Sequence, residues 1–171
     1  FTPRRSSDLI IGVDYLFSVS AESWLKKLEL SRTDKSRTYD IPMRVQLASG
    51  QVVLIASVAD NGQDKWQPML PINDYLFSLP GGPVDVGLGN FYTDKDGVVR
   101  RFFPTLFDDG TIPSLTFATL LAVRAAGLEP TSSTWSLGCR EIPNVILPHT
   151  IGFVGPPGTI PRLSLSRLLN P

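Results

Sequence analysis

Two aspartates, a glycine and a pair of arginines near the middle of the chain have the spacing that most resembles a chemical site. In the stretch GLGNFYTDKDGVVRRFFP, Asp94 and Asp96 stand one residue apart, Gly97 follows, and Arg100 and Arg101 come next. Carboxylates at this spacing can bind calcium, exchange protons as an acid and base pair, or shape a turn. Each alternative makes a different demand on the neighbouring residues.

The neighbours of these aspartates favour the turn. A calcium loop needs more oxygen ligands and a bidentate glutamate near its twelfth position, where this chain has Thr105. An acid and base pair needs environments that separate the two pKa values, and the tip of a turn rarely supplies them. We therefore predict a β-hairpin with VGLGNF and VVRRFF as its strands and Asp96-Gly97 in its turn. Asp94 and Asp96 then bond the turn backbone or pair with Arg100, and no metal site is predicted.

The best isolated candidate for ligand binding is Asp14, which closes the apolar run DLIIGVD. Ligands in open α/β sheets bind outside the carboxyl ends of the strands, where such a side chain would project. The alternative is a carboxylate that only caps a turn. Asn90 and Arg101 are added as candidate ligand-binding residues, without a motif of their own.

Other chemical motifs fail when their spacing is checked. GPPGT at 155–159 begins like a phosphate-binding loop but lacks the second glycine and the lysine, and GLG at 87–89 lacks the third glycine of a dinucleotide fingerprint. His149 is the only histidine and no G-x-S-x-G elbow is present, so we predict a structural or exposed histidine. Cys139 is the single cysteine and cannot form an intrachain disulfide. The sequence thus predicts no cofactor and no catalytic constellation.

The totals predict one folded domain over residues 1–171. Apolar residues make up 42% of the 171, which is ordinary for a folded domain, and 16 basic side chains balance 16 acidic ones. No positive field gathers phosphates, so nucleic acid is not predicted as a partner. The sequence carries neither a signal peptide nor eighteen uninterrupted apolar residues.

The pattern along the chain predicts the α/β class, with a mixed central sheet, a β-hairpin and helices packed on both faces. Two buried strands at 8–17 and 51–58 flank a helix over 20–30 that Ser20 would cap, and 31–44 forms an exposed connection. Further predicted elements are a helical turn within 73–79, a helix over 113–127 that Gly127 ends and that packs on both sides, strands in NVILP and TIGFVG, and a last helix at 164–169.

Five segments of the chain, in this order and spacing, resemble the second type of CHASE domain, the extracellular sensory module associated with bacterial cyclases and histidine kinases. They are DLIIGVDYLFS, VVLIASV, VGLGNFYTDKDGVVRRFFP, IPSLTFATLLA and IGFVGPPGTIPRLSLSRLL, which together run from about Asp8 to Leu169. The most specific part is D-x-D-G-V-V-R-R at 94–101 followed by P-S-L at 113–115. Members usually begin with a longer segment that contains an earlier strand and helix, so we expect the chain to be truncated on its N-terminal side.

The resemblance implies a sensory domain on the extracytoplasmic face of a cell membrane, anchored through flanking helices outside the chain. It implies a cytoplasmic kinase, cyclase or phosphatase as the output, no catalysis within this segment, and an unknown small-molecule or envelope signal. A homodimer is compatible with such outputs. Two alternatives stay open, namely a small hydrolase-like or phosphoryl-handling enzyme that uses Asp14, and an envelope interaction module that binds through DYLFSLPGGP.

Overall fold

The computed structural model of the chain describes residues 9–19, 21–28, 40–60, 66–152 and 155. Its helices are α1 (Ala21–Lys27), α2 (Ile41–Leu47), α3 (Asn73–Leu76), a 3-10 turn (Gly82–Asp85) and α4 (Phe117–Ala125). Its strands are β1 (Ile11–Val13), β2 (Val52–Asp60), β3 (Trp66–Met69), β4 (Val86–Leu88), β5 (Arg101–Phe102), β6 (Thr134–Leu137), β7 (Arg140–Pro143) and β8 (His149–Thr150).

The central sheet is built around β2, the strand predicted at 51–58. β2 runs parallel to β1 and to β4 and antiparallel to β3, so the sheet is mixed as predicted. The parallel pairing of β1 and β2 requires a crossover, and α1 and α2 lie within it. Because β1, β2 and β4 are parallel, their carboxyl ends meet at one edge of the sheet.

Both faces of this sheet are covered by helices, which confirms the predicted layers. Alternate residues of β2 point to opposite faces. Val52, Leu54 and Ala56 belong to one core cluster, and residues of α2 and α3 pack with them. Val53 lies in a second cluster, which contains Leu120 and Val123 of α4 and the buried Trp135.

The prediction for the first strand was wrong in length and in burial. The extended pairing covers only Ile11–Val13, where a strand over 8–17 was predicted. Ile11 is 48% exposed, so β1 is not covered on both faces. Periodicity alone cannot separate a central strand from an edge strand when both are rich in apolar residues.

The helix predicted over 113–127 begins four residues later than expected. Residues 114–116 are extended, since Ser114, Leu115 and Thr116 exchange backbone hydrogen bonds with neighbouring strands and loops. The predicted stop is confirmed, because Gly127 follows the helix with a φ of 69°. Buried Leu120 and Val123 face the sheet, while Ala118 and Ala122 are exposed, so within the described residues α4 packs on one side.

Several other elements differ from the prediction. Helix α2 begins at Ile41, inside the segment predicted as an exposed connection, and NVILP is a bend rather than a strand. Strands β6 and β7 form an unpredicted hairpin around Gly138 and Cys139. Among the described residues of TIGFVG, only Thr150 belongs to a strand, as the last residue of β8.

Some predictions concern residues outside the described part of the chain. These are the Ser20 cap, the connection over 31–39 and the helix at 164–169. Within the described ranges, none of the helices is long and apolar enough to cross a membrane.

Candidate functional site

The aspartate and arginine motif forms the predicted turn but not the predicted strand ladder. The Gly97 amide donates to the Asp94 carbonyl at 2.8 Å, and the Asp94 amide donates to the Val98 carbonyl at 3.0 Å. Gly97 has a φ of 78°, a backbone conformation that favours glycine. The flanking runs do not pair with each other, because β4 pairs with β2 and β5 pairs with β8.

All four carboxylate oxygens of this turn accept hydrogen bonds. Arg100 donates to both oxygens of Asp96, at 2.9 and 2.7 Å, and to one oxygen of Asp94 at 3.3 Å. The other Asp94 oxygen accepts from Arg101 Nε at 3.1 Å and also from Arg101 Nη2. The two acids therefore hold two arginines in place. Among the described residues, no group of three or more possible ligands could hold a metal ion.

The three residues predicted to bind a ligand all line one cavity, which we call the strand-end cavity. Asp14 follows β1, Asn90 lies two residues beyond β4, and Arg101 opens β5. The cavity measures about 130 Å³ and lies against the first turn of α4, where Thr116 and Ala118 contribute to its wall. The carboxyl ends of parallel strands are where α/β sheets bind ligands. The fold thus brings together three residues that are far apart in sequence.

The three polar side chains around the strand-end cavity differ in how many hydrogen bonds they already make within the domain. Asn90 accepts from the Val58 amide at 2.6 Å and donates to the Val58 carbonyl at 3.2 Å, so it extends the pairing of β4 with β2. Arg101 is held by Asp94, and its guanidinium carbon lies 5.2 Å from the centre of the Tyr92 ring. Asp14 is exposed and has no hydrogen bond or ion pair with another described residue. A ligand-binding role stays a prediction for each of the three.

A second cavity, here the aromatic cavity, adjoins the first. It measures about 370 Å³ and shares five residues with the strand-end cavity. The shared residues are Asn90, Phe91, Tyr92, Phe103 and Leu106. Trp66 and Phe107 add two more aromatic walls, and none of the described residues that line this cavity has a charged side chain. Sequence reasoning missed these aromatic residues, although Phe91, Tyr92 and Phe103 flank the very turn that it singled out.

In a comparison with protein families, a family model described as the CHASE2 domain matches residues 7–170. The chain belongs to the CHASE2 domain family. This confirms the resemblance inferred from the sequence, and it covers nearly the whole chain. CHASE2 domains are extracellular sensory domains of membrane proteins. No curated protein and no solved structure matches the chain.

A close backbone contact fixes one wall of the strand-end cavity in this CHASE2 domain. Gly87 of β4 lies directly beneath the start of α4, and a Cβ at Gly87 would stand 2.5 Å from the Cα of Phe117. Only glycine admits that approach. The Leu88 amide donates to the Leu115 carbonyl at 2.9 Å and ties the same junction together. The first turn of α4 is therefore held at the strand ends by backbone contacts.

His149, which we predicted to be structural or exposed, lines neither of these cavities. Its ring centre lies 5.5 Å from that of Phe102, and the side chain is partly buried. Its Nε2 atom is buried without a hydrogen-bond partner among the described residues. Among the described residues, no hydroxyl or thiol is hydrogen-bonded to the His149 ring, as a nucleophile beside its base would be.

The ion pairs of the turn should give the domain an acid-sensitive contribution to stability. The Arg101 hydrogen bonds, and then Arg100, lower the pKa of Asp94, and Arg100 lowers the pKa of Asp96. A pKa that is lower in the folded state stabilises the fold above the unfolded pKa, about 3.9 for aspartate, and this stability is lost as the pH falls through the folded value. We expect the thermal midpoint of the wild type to exceed that of Asp94→Asn/Asp96→Asn by a constant amount from pH 8 to about pH 5.

The same difference should shrink below about pH 4 and should also shrink in high salt, since the pairs are largely exposed. Lys95→Gln is the matched control, because it removes a charge from the same turn without breaking one of these pairs. Thermal melts at a series of pH values measure both effects. A difference that stays constant down to pH 2 would show that the ion pairs do not stabilise the fold.

Proposed function

We propose that this CHASE2 domain is the signal-input domain of a membrane-bound bacterial signalling protein, such as a histidine kinase, an adenylate or diguanylate cyclase, or a Ser/Thr kinase. It lies on the extracytoplasmic face of the cell membrane and is held there by flanking helices outside this chain. Family membership over residues 7–170 is the observation that carries the proposal. The strand-end cavity supports a small-molecule signal, because it adjoins the edge where α/β sheets bind ligands.

A ligand in the strand-end cavity can signal only if it binds two arrangements of the domain unequally. Asp14, Asn90 and Arg101 belong to three separate segments, and Ala118 belongs to α4. A ligand that touches all of them favours the arrangement in which the segments stand closest. The position of α4 relative to β1 and β5 is therefore the quantity that the proposed signal changes.

The enzyme alternative rests on Asp14 alone. A carboxylate that acts as nucleophile or base needs a second group that activates it or completes the proton transfer. Among the described residues that line the strand-end cavity, the other ionisable side chains are Arg101 and Tyr92, and a guanidinium stays protonated and cannot accept a proton from a nucleophile. The arrangement supports binding better than turnover, so we propose no catalysis for this segment.

Two tryptophan substitutions on one face of α4 test the proposal. Ala118 is exposed and lines the strand-end cavity, whereas Ala122, one turn further on, is exposed and lines neither this cavity nor the aromatic one. Ala118→Trp should fill the cavity and hold the output of the full-length protein at one level, while Ala122→Trp should respond like the wild type. The measurement is the output activity of the full-length protein in cells grown in a series of different media.

The result that contradicts the proposal is equally specific. An Ala118→Trp protein whose output follows that of the wild type across all media would show that the cavity is not part of signal input. A wild-type output that never varies would also count against a sensory role.

A further inference from the structure

The strand-end cavity offers one group that accepts hydrogen bonds and a separate group that donates them. Asp14 presents a carboxylate with no partner among the described residues. Arg101 has five N–H donors; Asp94 accepts from Nε and Nη2, and Tyr92 also interacts with the guanidinium, so among the described residues the donors are not all used. Asn90 likewise uses one N–H of its amide for Val58 and retains the other. A ligand that satisfies this wall needs a cationic donor on one side and an anionic acceptor on the other.

The size of the cavity limits the part of the ligand that carries these two charges. An apolar cavity of about 150 Å³ holds one benzene molecule. At about 130 Å³, the strand-end cavity has room for roughly six non-hydrogen atoms. An ammonium and a carboxylate joined through one carbon atom fit that limit.

The adjoining aromatic cavity indicates what else the ligand carries. Its volume of about 370 Å³ lies within the range of about 300 to 1,000 Å³ that is typical of small-molecule sites. The described residues that line it carry no charge, and Tyr92, Phe103 and Trp66 form much of its wall. A substituent that passes from the first cavity into the second must therefore be apolar or aromatic.

We infer that the two cavities together bind a small zwitterion with an apolar or aromatic substituent, that is, a molecule of the α-amino acid class. This inference rests on the proposed function, since it names the ligand of the same site. The ammonium pairs with Asp14, and the carboxylate accepts hydrogen bonds from Arg101 and Asn90. The substituent lies against Tyr92 and Phe103 in the aromatic cavity.

Three probes with the same ring separate the contributions of the two charges. The 171-residue chain is titrated by calorimetry with L-phenylalanine, with phenethylamine, which lacks the carboxylate, and with 3-phenylpropionate, which lacks the ammonium. Hydrogen bonds to charged groups contribute about 1.5 to 3 kcal/mol each. L-phenylalanine should therefore bind at least about tenfold more tightly than either analogue.

A substitution in the cavity wall should weaken the binding of one probe and leave the affinity for another unchanged. Asp14→Asn should weaken binding of L-phenylalanine about tenfold and leave 3-phenylpropionate unchanged. Arg101→Gln should weaken L-phenylalanine and leave phenethylamine unchanged. Asp74→Asn is the matched control, because Asp74 is an exposed carboxylate that lines neither cavity. Circular dichroism confirms that each variant is folded, and the comparison of the three probes needs only the wild type.

Equal affinity for the three probes would show that only the ring is recognised and would overturn the inference. Tighter binding of either singly charged analogue would overturn it as well, and so would an absence of binding at millimolar L-phenylalanine. If binding is absent while Ala118→Trp still holds the output of the full-length protein at one level, the zwitterion is wrong and the signal-input role stands. If L-phenylalanine binds as expected but Ala118→Trp leaves the output unchanged, the ligand chemistry is right and the proposed function is wrong.

Discussion

Trp135→Ala should lower the free energy of unfolding by about 4 kcal/mol, within the range of 3 to 5 kcal/mol measured when large aromatic residues are removed from protein cores. Trp135 is 1% exposed and packs in the cluster that contains Leu120 and Val123 of α4. Its Nε1 also donates to the Glu129 carbonyl at 2.9 Å. The substitution removes the packing and leaves that carbonyl without its donor.

Trp66→Ala is the matched control, because the same side chain is removed from a position that is 63% exposed. Its effect on stability should stay within about 0.5 kcal/mol. Denaturant unfolding of the wild type and both variants measures the difference. Similar losses for the two tryptophans would contradict the placement of Trp135 beneath α4.

Arg124→Met should cost about 3 kcal/mol of stability, because it leaves a buried carboxylate without its cation. The Asp85 side chain is 7% exposed and pairs with Arg124, and its other oxygen accepts from the Gly81 amide at 2.7 Å. The pair joins α4 to the 3-10 turn that precedes β4. The expected cost lies at the low end for buried pairs, since Arg124 is 28% exposed and its Nε has no hydrogen-bond partner among the described residues.

The double variant Asp85→Asn/Arg124→Met distinguishes two causes of lost stability: the loss of the ion pair itself and the burial of a carboxylate that no longer has a cationic partner. Removal of both charges should restore part of the stability, because the buried carboxylate no longer lacks a partner. Arg140→Met removes an exposed arginine and should change stability by less than about 0.5 kcal/mol. If Arg124→Met behaves like Arg140→Met in denaturant unfolding, the ion pair does not hold α4 against the sheet.

The parts of the fold that sequence patterns predicted are those where one local signal decides the structure. The run at 51–58 forms the buried strand β2, because it is continuous, apolar and rich in β-branched residues. The glycines of the Asp96-Gly97 turn and of the α4 stop at Gly127 both have positive φ values, which few other residues adopt.

The sequence-based predictions were wrong where the structure of a segment depends on pairing with residues that are distant in the sequence. VGLGNF and VVRRFF look like two strands of one hairpin, yet each finds its partner elsewhere, since β4 pairs with β2 and β5 with β8. Pro113 and Ser114 look like the start of a helix, but the Ser114 carbonyl accepts a hydrogen bond from the Leu106 amide, and the backbone is extended there. The hairpin of β6 and β7 was missed although Gly138 stands at the first central position of a two-residue turn, where glycine is typical, because the short runs beside it do not show a clear strand pattern.

In the candidate site, too, one residue could be nominated from a local sequence signal, whereas the arrangement of the others depends on distant parts of the chain. The position of Asp14 after a strand was enough to nominate it, because the carboxyl ends of strands face ligands in α/β folds. Nothing in the sequence placed Asn90 and Arg101 beside it, and nothing indicated that Tyr92 and Phe103 line a cavity next to all three. These residues lie close together because the crossover connects β1 to β2 and because the chain comes back to the same sheet edge at β5.

The central claim, that this CHASE2 domain receives signals outside the cytoplasm, is tested most directly through its own thiol. Cys139 is free and exposed in the hairpin of β6 and β7. The full-length protein is expressed in intact cells, treated briefly with a reductant, and exposed to a maleimide that does not cross the cytoplasmic membrane. A Cys139→Ser variant identifies labelling at any other cysteine. We predict that Cys139 is labelled in intact cells to the same extent as after lysis, and labelling only after the cytoplasmic membrane is broken would contradict the proposed location and the sensory role that depends on it.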